Sequence, residues 1–222
     1  MKGKHIALLV VLLLIIDQIT KFYIKLNFEL GEEVHVLGSW FRLNFVENPG
    51  MAWGWQFGGG WGKMFLTLFR LAAVIWGIFF IRKISRKKMH PGFLICVSLI
   101  FAGAAGNLID SMFYGMIFDK GLVFDTATKH WVDYDGVAAL SSNGYSSFLH
   151  GVVVDMLYFP IIQNYQLPDW IPIWGGNTIN FFQYIFNFAD SYISVGVIAL
   201  LIWQKKFFPE DKKEPAEKTK FL

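Results

Sequence analysis

The 222-residue sequence predicts an α-helical membrane protein, with four transmembrane helices, N and C termini cytoplasmic, a small extracytoplasmic β-sheet and an irregular interfacial segment. Three observations predict it. Hydrophobic residues make up 55% of the chain and aromatics 18%, with a mean hydropathy of +0.42, too apolar for an ordinary soluble fold. Apolar runs at about 6–24, 64–81, 93–113 and 184–203 are close to the roughly 20 residues that a helix needs to cross hydrocarbon. Lys and Arg gather in alternate connections between these runs, the pattern that sets membrane orientation.

The first run follows Lys2 and Lys4, as a secretory signal would. No small-x-small cleavage site comes after it, and Asp17, Gln18 and Lys21 stand where a signal is apolar, so this span is expected to be retained. The connection at about 27–62 contains Val34-His35-Val36-Leu37 and Trp40-Phe41-Arg42-Leu43-Asn44-Phe45-Val46, separated by Gly38-Ser39, which reads as a short hairpin resting on the membrane. After the second run come Arg82, Lys83, Arg86, Lys87 and Lys88, and after the fourth come Lys205, Lys206, Lys212, Lys213, Lys218 and Lys220. Both groups belong inside, with the N-terminus. The connections at about 27–62 and 114–183 carry only Arg42, Lys120 and Lys129 as clearly extramembrane basic residues and so face outward. The second of these holds a polar insertion at about 119–147, with Asp125, Asp133 and Asp135. Pro160, Pro168, Pro172, Trp170 and Trp174 then mark the irregular interfacial stretch. Residues 1–203 form one membrane domain, and the Lys/Glu/Pro-rich 204–222 a cytoplasmic tail.

The net charge of +3 and pI of about 8.9 do not make a nucleic-acid binder, because the basic residues are not interleaved with aromatics along one face. The single Cys96 excludes an intrachain disulfide. His5, His35, His90, His130 and His150 lack ligand spacing, so no metal and no cofactor is expected.

Ionisable groups inside spans are costly and tend to mark function. Here they fall at one depth. The outward-running first and third spans carry Asp17, Gln18 and Lys21, and Asn107 and Asp110, near their outer ends, while the inward-running fourth carries Asn187 and Asp190 near its start. Asp190 comes only about 9 Å after Tyr184 along a helix. Asp17 and Lys21 are i,i+4 with the acid first, which suits an ion pair. Asn107 and Asn187 suit hydrogen-bonding glue, since an amide is a poor acid or base. Gly103-Ala104-Ala105-Gly106 lets another helix approach closely. Asp110 reads equally as a cap and as a reactant. Asp190, a carboxylate with no adjacent cation in the sequence, must either neutralise or share a proton, which is what an acid/base residue does. Two carboxylates that meet can share one proton, the ionised member activating water and the protonated one donating to the carbonyl. No Ser-His or Ser-Lys arrangement offers an alternative, and Ser111, Ser142 and Ser147 read as caps and loop residues.

Five segments taken together resemble the lipoprotein signal peptidase (signal peptidase II) family. They are Asp17-Gln18-x-x-Lys21, Glu47-Asn48-Pro49-Gly50-Met51-Ala52-Trp53-Gly54, Gly103-Ala104-Ala105-Gly106-Asn107-Leu108-Ile109-Asp110, Val153-Val154-Asp155-Met156 and Phe186-Asn187-Phe188-Ala189-Asp190. The resemblance implies an aspartic endopeptidase that cuts the signal peptide from diacylglyceryl-modified prolipoproteins just before the lipidated cysteine. It would work at the outer face of the bacterial cytoplasmic membrane, as a monomer among membrane lipids. The resemblance places the catalytic aspartates on Asp155 and Asp190, with Asn48, Asn107, Asp110 and Asn187 supporting them and Asp17 and Lys21 holding the first span. Of the catalytic pair, the residues alone point only to Asp190.

This chain departs from the family pattern in two ways. The family's arginine after the G-N-x-x-D aspartate is replaced by Ser111, so a supporting ion pair is lost or replaced. The stretch from Asp110 to Asp155 is also longer than usual and creates a decoy, Gly115-Met116-Ile117-Phe118-Asp119, against which Asp155 is preferred because Met156-Leu157-Tyr158-Phe159 continues the pattern. Trp53, Trp55, Phe57 and Trp61 would anchor at the interface or grip lipid, and 48–62 would be a lid made flexible by Gly58-Gly59-Gly60. The rival readings are a proton- or ion-coupled transporter and a non-catalytic membrane scaffold.

Overall fold

The computed structural model describes residues 3–50 and 59–209. Long helices form where the apolar runs lie: α1 (Gly3–Asn27), α2 (Gly59–Ser85), α3 (Pro91–Ile117) and α4 (Phe188–Phe207). Among the described residues, α1, α3 and α2 from Trp61 are long and apolar enough to cross a membrane. Helices α1, α2 and α3 outrun their apolar segments, because a helix continues until its terminal carbonyls find other partners. α3 starts at a definite cap, with the His90 side chain accepting from the Gly92 N–H and Pro91 in the first turn, where no backbone donor is needed.

The fourth helix corrects the sequence reading. It begins at Phe188, not near 184, because Ile185–Phe186 is drawn into a sheet as strand β8 and Asn187 becomes the N-cap. Asn187 therefore stands at the boundary of the helix and not inside it. It forms a capping box with Asp190, in which the Asn187 side chain accepts from the Asp190 N–H and the Asp190 carboxylate accepts from the Asn187 N–H.

The small residues of α3 set how the helices meet. A Cβ at Gly103 would lie 2.2 Å from the Ala189 carbonyl oxygen, and one at Gly106 would lie 2.6 Å from Asp17 Oδ2. Any side chain at either position would force α4 or α1 away from α3.

The expected hairpin is present as β1 (Glu33–Leu37) and β2 (Phe41–Asn48), antiparallel, with Gly38 at φ +54° in the turn. The sheet is larger than the sequence suggested. Strand β5 (Val153–Tyr158) pairs with β2, and β8 pairs with β5, giving the order β1-β2-β5-β8. Every residue of β5 is buried, so its sequence carries no alternation by which periodicity could assign it. Phe45, Val154 and Met156 of this sheet pack on Ile24, Tyr114 and Phe118 from the C-terminal ends of α1 and α3. The sheet is thereby fixed over the helices at the level where their polar residues lie.

The insertion is ordered by a hairpin of β3 (Val123–Asp125) and β4 (His130–Val132). It docks through a buried ion pair beneath it, Lys25 with Glu47. Glu47 also accepts from Tyr134 Oη at 3.1 Å and from the Leu122 N–H at 2.7 Å. The interfacial stretch is less irregular than expected, since β6 (Ile162–Gln166) and β7 (Thr178–Phe181) form a ribbon. Trp170 and Trp174 stand exposed on the loop that joins them. Gly59 and Gly60 begin α2 instead of extending a loop, while Trp53, Trp55, Phe57 and most of the expected lid lie outside the described residues.

Candidate active site

Two linked polar layers sit between the sheet and the helix ends. The lower layer is centred on Lys21, wholly buried in α1. Its ammonium lies 2.9 Å from Asp17 Oδ2 and 2.8 Å from Asp110 Oδ2, and donates to Asn107 Oδ1 at 2.9 Å. The ammonium thus pairs with two carboxylates and donates to one amide oxygen. Asp17 also accepts from the Ala189 N–H at 3.0 Å, which ties α1 to the first turn of α4. Gln18 donates to Asp110 Oδ1 at 2.9 Å and accepts from Tyr114 Oη at 3.2 Å. Asp110 is fully buried within this layer, bound to groups of its own surroundings.

The upper layer holds the two expected reactants. Asn107 Nδ2 donates to Asp190 Oδ1 at 2.8 Å. Asn187 Nδ2 is placed among Asp155 Oδ1 at 2.6 Å, Asn107 Oδ1 at 3.1 Å and the Val154 carbonyl oxygen at 3.3 Å. Asn48 Nδ2 reaches Asp155 Oδ2 at 3.3 Å, and Asn48 Oδ1 accepts from the Gly50 N–H at 2.9 Å. Strand β5 supplies Asp155, the first turn of α4 supplies Asp190, and Asn187 touches both. Asp155 is buried at 3% exposure, whereas Asp190 is half-buried.

Burial of Asp155 and the neighbouring Asp190 carboxylate push its pKa up to about 8, against the opposing pull of Lys21 and of the Asn187 and Asn48 amides. Two close carboxylates resist ionising together, so one proton is retained near neutral pH.

The eight residues expected from the sequence therefore fall into two sets that share Asn107. Asp17, Lys21 and Asp110 form the lower layer with it; Asn48, Asp155, Asn187 and Asp190 form the upper. The decoy Asp119 lies elsewhere. It is exposed, and its backbone and carboxylate both bond Ala139, closing the base of the insertion. The sequence reading missed Gln18 as a bridging residue and Arg70 altogether. Arg70 Nη1 donates to Ser111 Oγ at 3.2 Å, and its charge acts on Asp190, Asp110 and Asp155. Asp190 is thus not without a cation, as its sequence surroundings implied. A lone arginine within an otherwise apolar helix was the available signal.

Helices apolar enough for lipid, converging on carboxylates held by amides, define a membrane protein with a polar centre equipped for proton transfer. The chain belongs to the signal peptidase II family: the family model described as "Signal peptidase (SPase) II" matches residues 9–206. It is therefore a peptidase, and a bacterial membrane protein. It is 44% identical to the lipoprotein signal peptidase of Porphyromonas gingivalis, over 99% of this chain and 95% of that one. It is 35% identical to the lipoprotein signal peptidase of Amoebophilus asiaticus, over 98% of this chain and 84% of that one. A solved bacterial membrane enzyme, determined by the in meso method, shares the fold with a TM-score of 0.55 at 23% identity, over 96% of this chain and 95% of that one.

Asp119→Asn keeps an acceptor for Ala139, so its effect on cleavage is expected to stay within about twofold, as for a surface change away from the site. Comparing the initial rates of the variant and the parent protein checks this; abolished cleavage would transfer the catalytic assignment from Asp155 to Asp119.

Proposed function

We propose that this chain is an aspartic endopeptidase that removes the signal peptide from diacylglyceryl-modified prolipoproteins, cleaving just before the lipidated cysteine, with Asp155 and Asp190 as the catalytic pair. The observation that carries this reading is the Asn187 side chain, bonded to Asp155 while sharing a capping box with Asp190, so that a strand and a helix bring their carboxylates to one amide.

Asp190, as carboxylate, takes a proton from a water whose oxygen attacks the scissile carbonyl carbon. Asp155, as carboxylic acid, gives its proton to the carbonyl oxygen. The tetrahedral intermediate collapses when Asp190 delivers the acquired proton to the leaving nitrogen and the C–N bond breaks. Asp155 recovers a proton from the hydroxyl as the new carboxyl group forms, and both residues return to their starting states. Asn48, Asn107 and Asn187 orient the two carboxylates, and the Asp17–Lys21–Asp110 set holds the helices beneath them. Neither metal nor cofactor enters these steps.

We place all four helices across the cytoplasmic membrane, with both termini inside and residues 1–203 as one monomeric membrane domain followed by a cytoplasmic tail. This placement is supported by Arg82 and Lys83 in the last turn of α2, by Arg86, Lys87 and Lys88 between α2 and α3, and by Lys205 and Lys206 at the end of α4. It is supported too by the exposed Ile198, Leu201 and Ile202 of α4, which suit a lipid-facing surface. The site then faces outward, at the depth of a substrate whose acyl chains remain in the bilayer.

The test is a purified-protein assay in detergent with a diacylglyceryl-modified precursor peptide, the product being weighed by mass spectrometry. Scission at the bond preceding the lipidated cysteine is expected. Scission elsewhere, or proton or ion flux in liposomes without scission, overturns the reading. The pH dependence has a definite sign. The raised Asp155 value keeps its proton in place at neutral pH, so activity is expected to fall as pH rises through about 8 and the acid form is lost.

A further inference from the structure

Four carboxylates converge on the centre, and Lys21 makes direct ion pairs with only two of them, Asp17 and Asp110. Asp155 and Asp190 are left to a low-dielectric setting that penalises uncompensated charge. A second cation comes from α2. Arg70 Nη1 donates to Ser111 Oγ at 3.2 Å, while the buried Ser111 hydroxyl donates in turn to the Asn107 carbonyl oxygen at 3.0 Å. Asn107 is the residue whose amide holds Asp190. The guanidinium is thus tied, through one hydroxyl, to the backbone of a residue in the upper layer, and its field reaches Asp190, Asp110 and Asp155.

We propose that Arg70, held in place by Ser111, is a positioning residue that sets the charge balance of the Asp155–Asp190 pair, a guanidinium supplied by α2 where α3 has none. The proposal rests on the peptidase reading. It also accounts for Ser111, since an arginine at 111 would compete for the space that the Arg70 head group takes beside that hydroxyl. Arg is suited to this because it stays charged when partly buried and its planar head can be fixed by one well-placed acceptor.

The charged groups around Arg70 come from several elements: Lys63 about two turns earlier in α2, Asp110 on α3, Asp155 on β5 and Asp190 on α4. Lys21 on α1 also acts on Asp155, and Glu47 on β2 acts on Lys63. Removing Arg70 subtracts one positive charge from those that act on the pair. Negative charge at the pair is then less well compensated, and the pH profile of activity moves upward.

The experiment is the pH profile of kcat/KM, on the lipidated precursor peptide, for wild type, Arg70→Met, Arg70→Lys and the exchange variant Arg70→Met with Ser111→Arg. Arg70→Met is expected to lose about tenfold at neutral pH and to shift its whole profile upward by about one pH unit. Arg70→Lys is expected to retain the wild-type profile, and the exchange variant to move back towards it. A profile of Arg70→Met that superimposes on wild type overturns the inference whatever its rate, because a merely structural loss lowers the curve without moving it. If Arg70→Met is not recovered as a monodisperse protein, Ser111→Ala takes its place. It releases the guanidinium without removing it, and an unmoved profile there overturns the inference equally. Absence of cleavage by wild type would fault the peptidase reading instead, so the two failures are distinguishable.

Discussion

Asp155→Asn and Asp190→Asn are each expected to lower cleavage of the lipidated peptide by about a thousandfold or more, with the double variant falling little further. Asparagine keeps the shape of the side chain but can neither give up nor receive the proton that each step moves. Because the two carboxylates act as a unit, losing either removes the whole cycle, and the effects do not add. The fold should survive both changes. At 155 an amide oxygen can still accept from Asn187 Nδ2, and at 190 one can still accept from Asn107 Nδ2.

Stability offers a second readout of the same residue. The Asp155 pKa is raised in the folded protein, so the stability associated with its proton is complete below the unfolded value near about 4 and is lost as pH rises towards about 8. At mildly alkaline pH, Asp155→Asn is therefore expected to raise the Tm in detergent by a few degrees while abolishing turnover, the opposition typical of a strained functional group. A variant both inactive and less stable than wild type at that pH would point to misfolding and not to lost chemistry.

Lys21→Met is expected to be the most destabilising single substitution, at about 3–5 kcal/mol, because it leaves buried carboxylates without their cation. Asp17 and Asp110 would both be stranded, at 1% and 0% exposure, and Asn107 Oδ1 would lose a donor. The damage would then reach α4, since Asp17 holds the Ala189 N–H. Thermal unfolding in detergent checks this. Combining Lys21→Met with Asp110→Asn should recover a substantial part of the loss, since one of the two stranded charges is gone. If Lys21→Met alone leaves the Tm unchanged, the lower layer does not hold the helices.

The helices and the depth of the polar layer were legible because lipid imposes a length and a polarity that little else in a sequence imitates. The Gly38 hairpin was legible through its turn residues. The pairing of β5 with β2 and β8 was not, because its residues are buried on both faces and carry no alternation. The start of α4 was misplaced for a related reason: Tyr184, Ile185 and Phe186 extend the apolar run, although two of them belong to the sheet. Asn187-x-x-Asp190, with its capping-box spacing, marked the true start.

Within the site, shared depth gathered Asp17, Lys21, Asn107, Asp110, Asn187 and Asp190. Asp155 could be found only through the family resemblance, because a single aspartate in an extramembrane strand has no periodic or energetic signature. The buried Lys25–Glu47 pair was hidden by sequence distance, with only the i,i+4 step from Lys21 as a hint. Arg70 is a single cation within a strongly apolar stretch, and its partner Ser111 lies 41 residues away in sequence.

The most direct test of the two-carboxylate account is a structure of the wild-type protein with a peptide analogue whose scissile amide is replaced by a secondary alcohol, standing in for the tetrahedral intermediate. The account predicts that the hydroxyl oxygen lies within about 3 Å of a carboxylate oxygen of both Asp155 and Asp190. A hydroxyl bound to only one of them, or seated away from both while the lipidated residue occupies the protein, would contradict it.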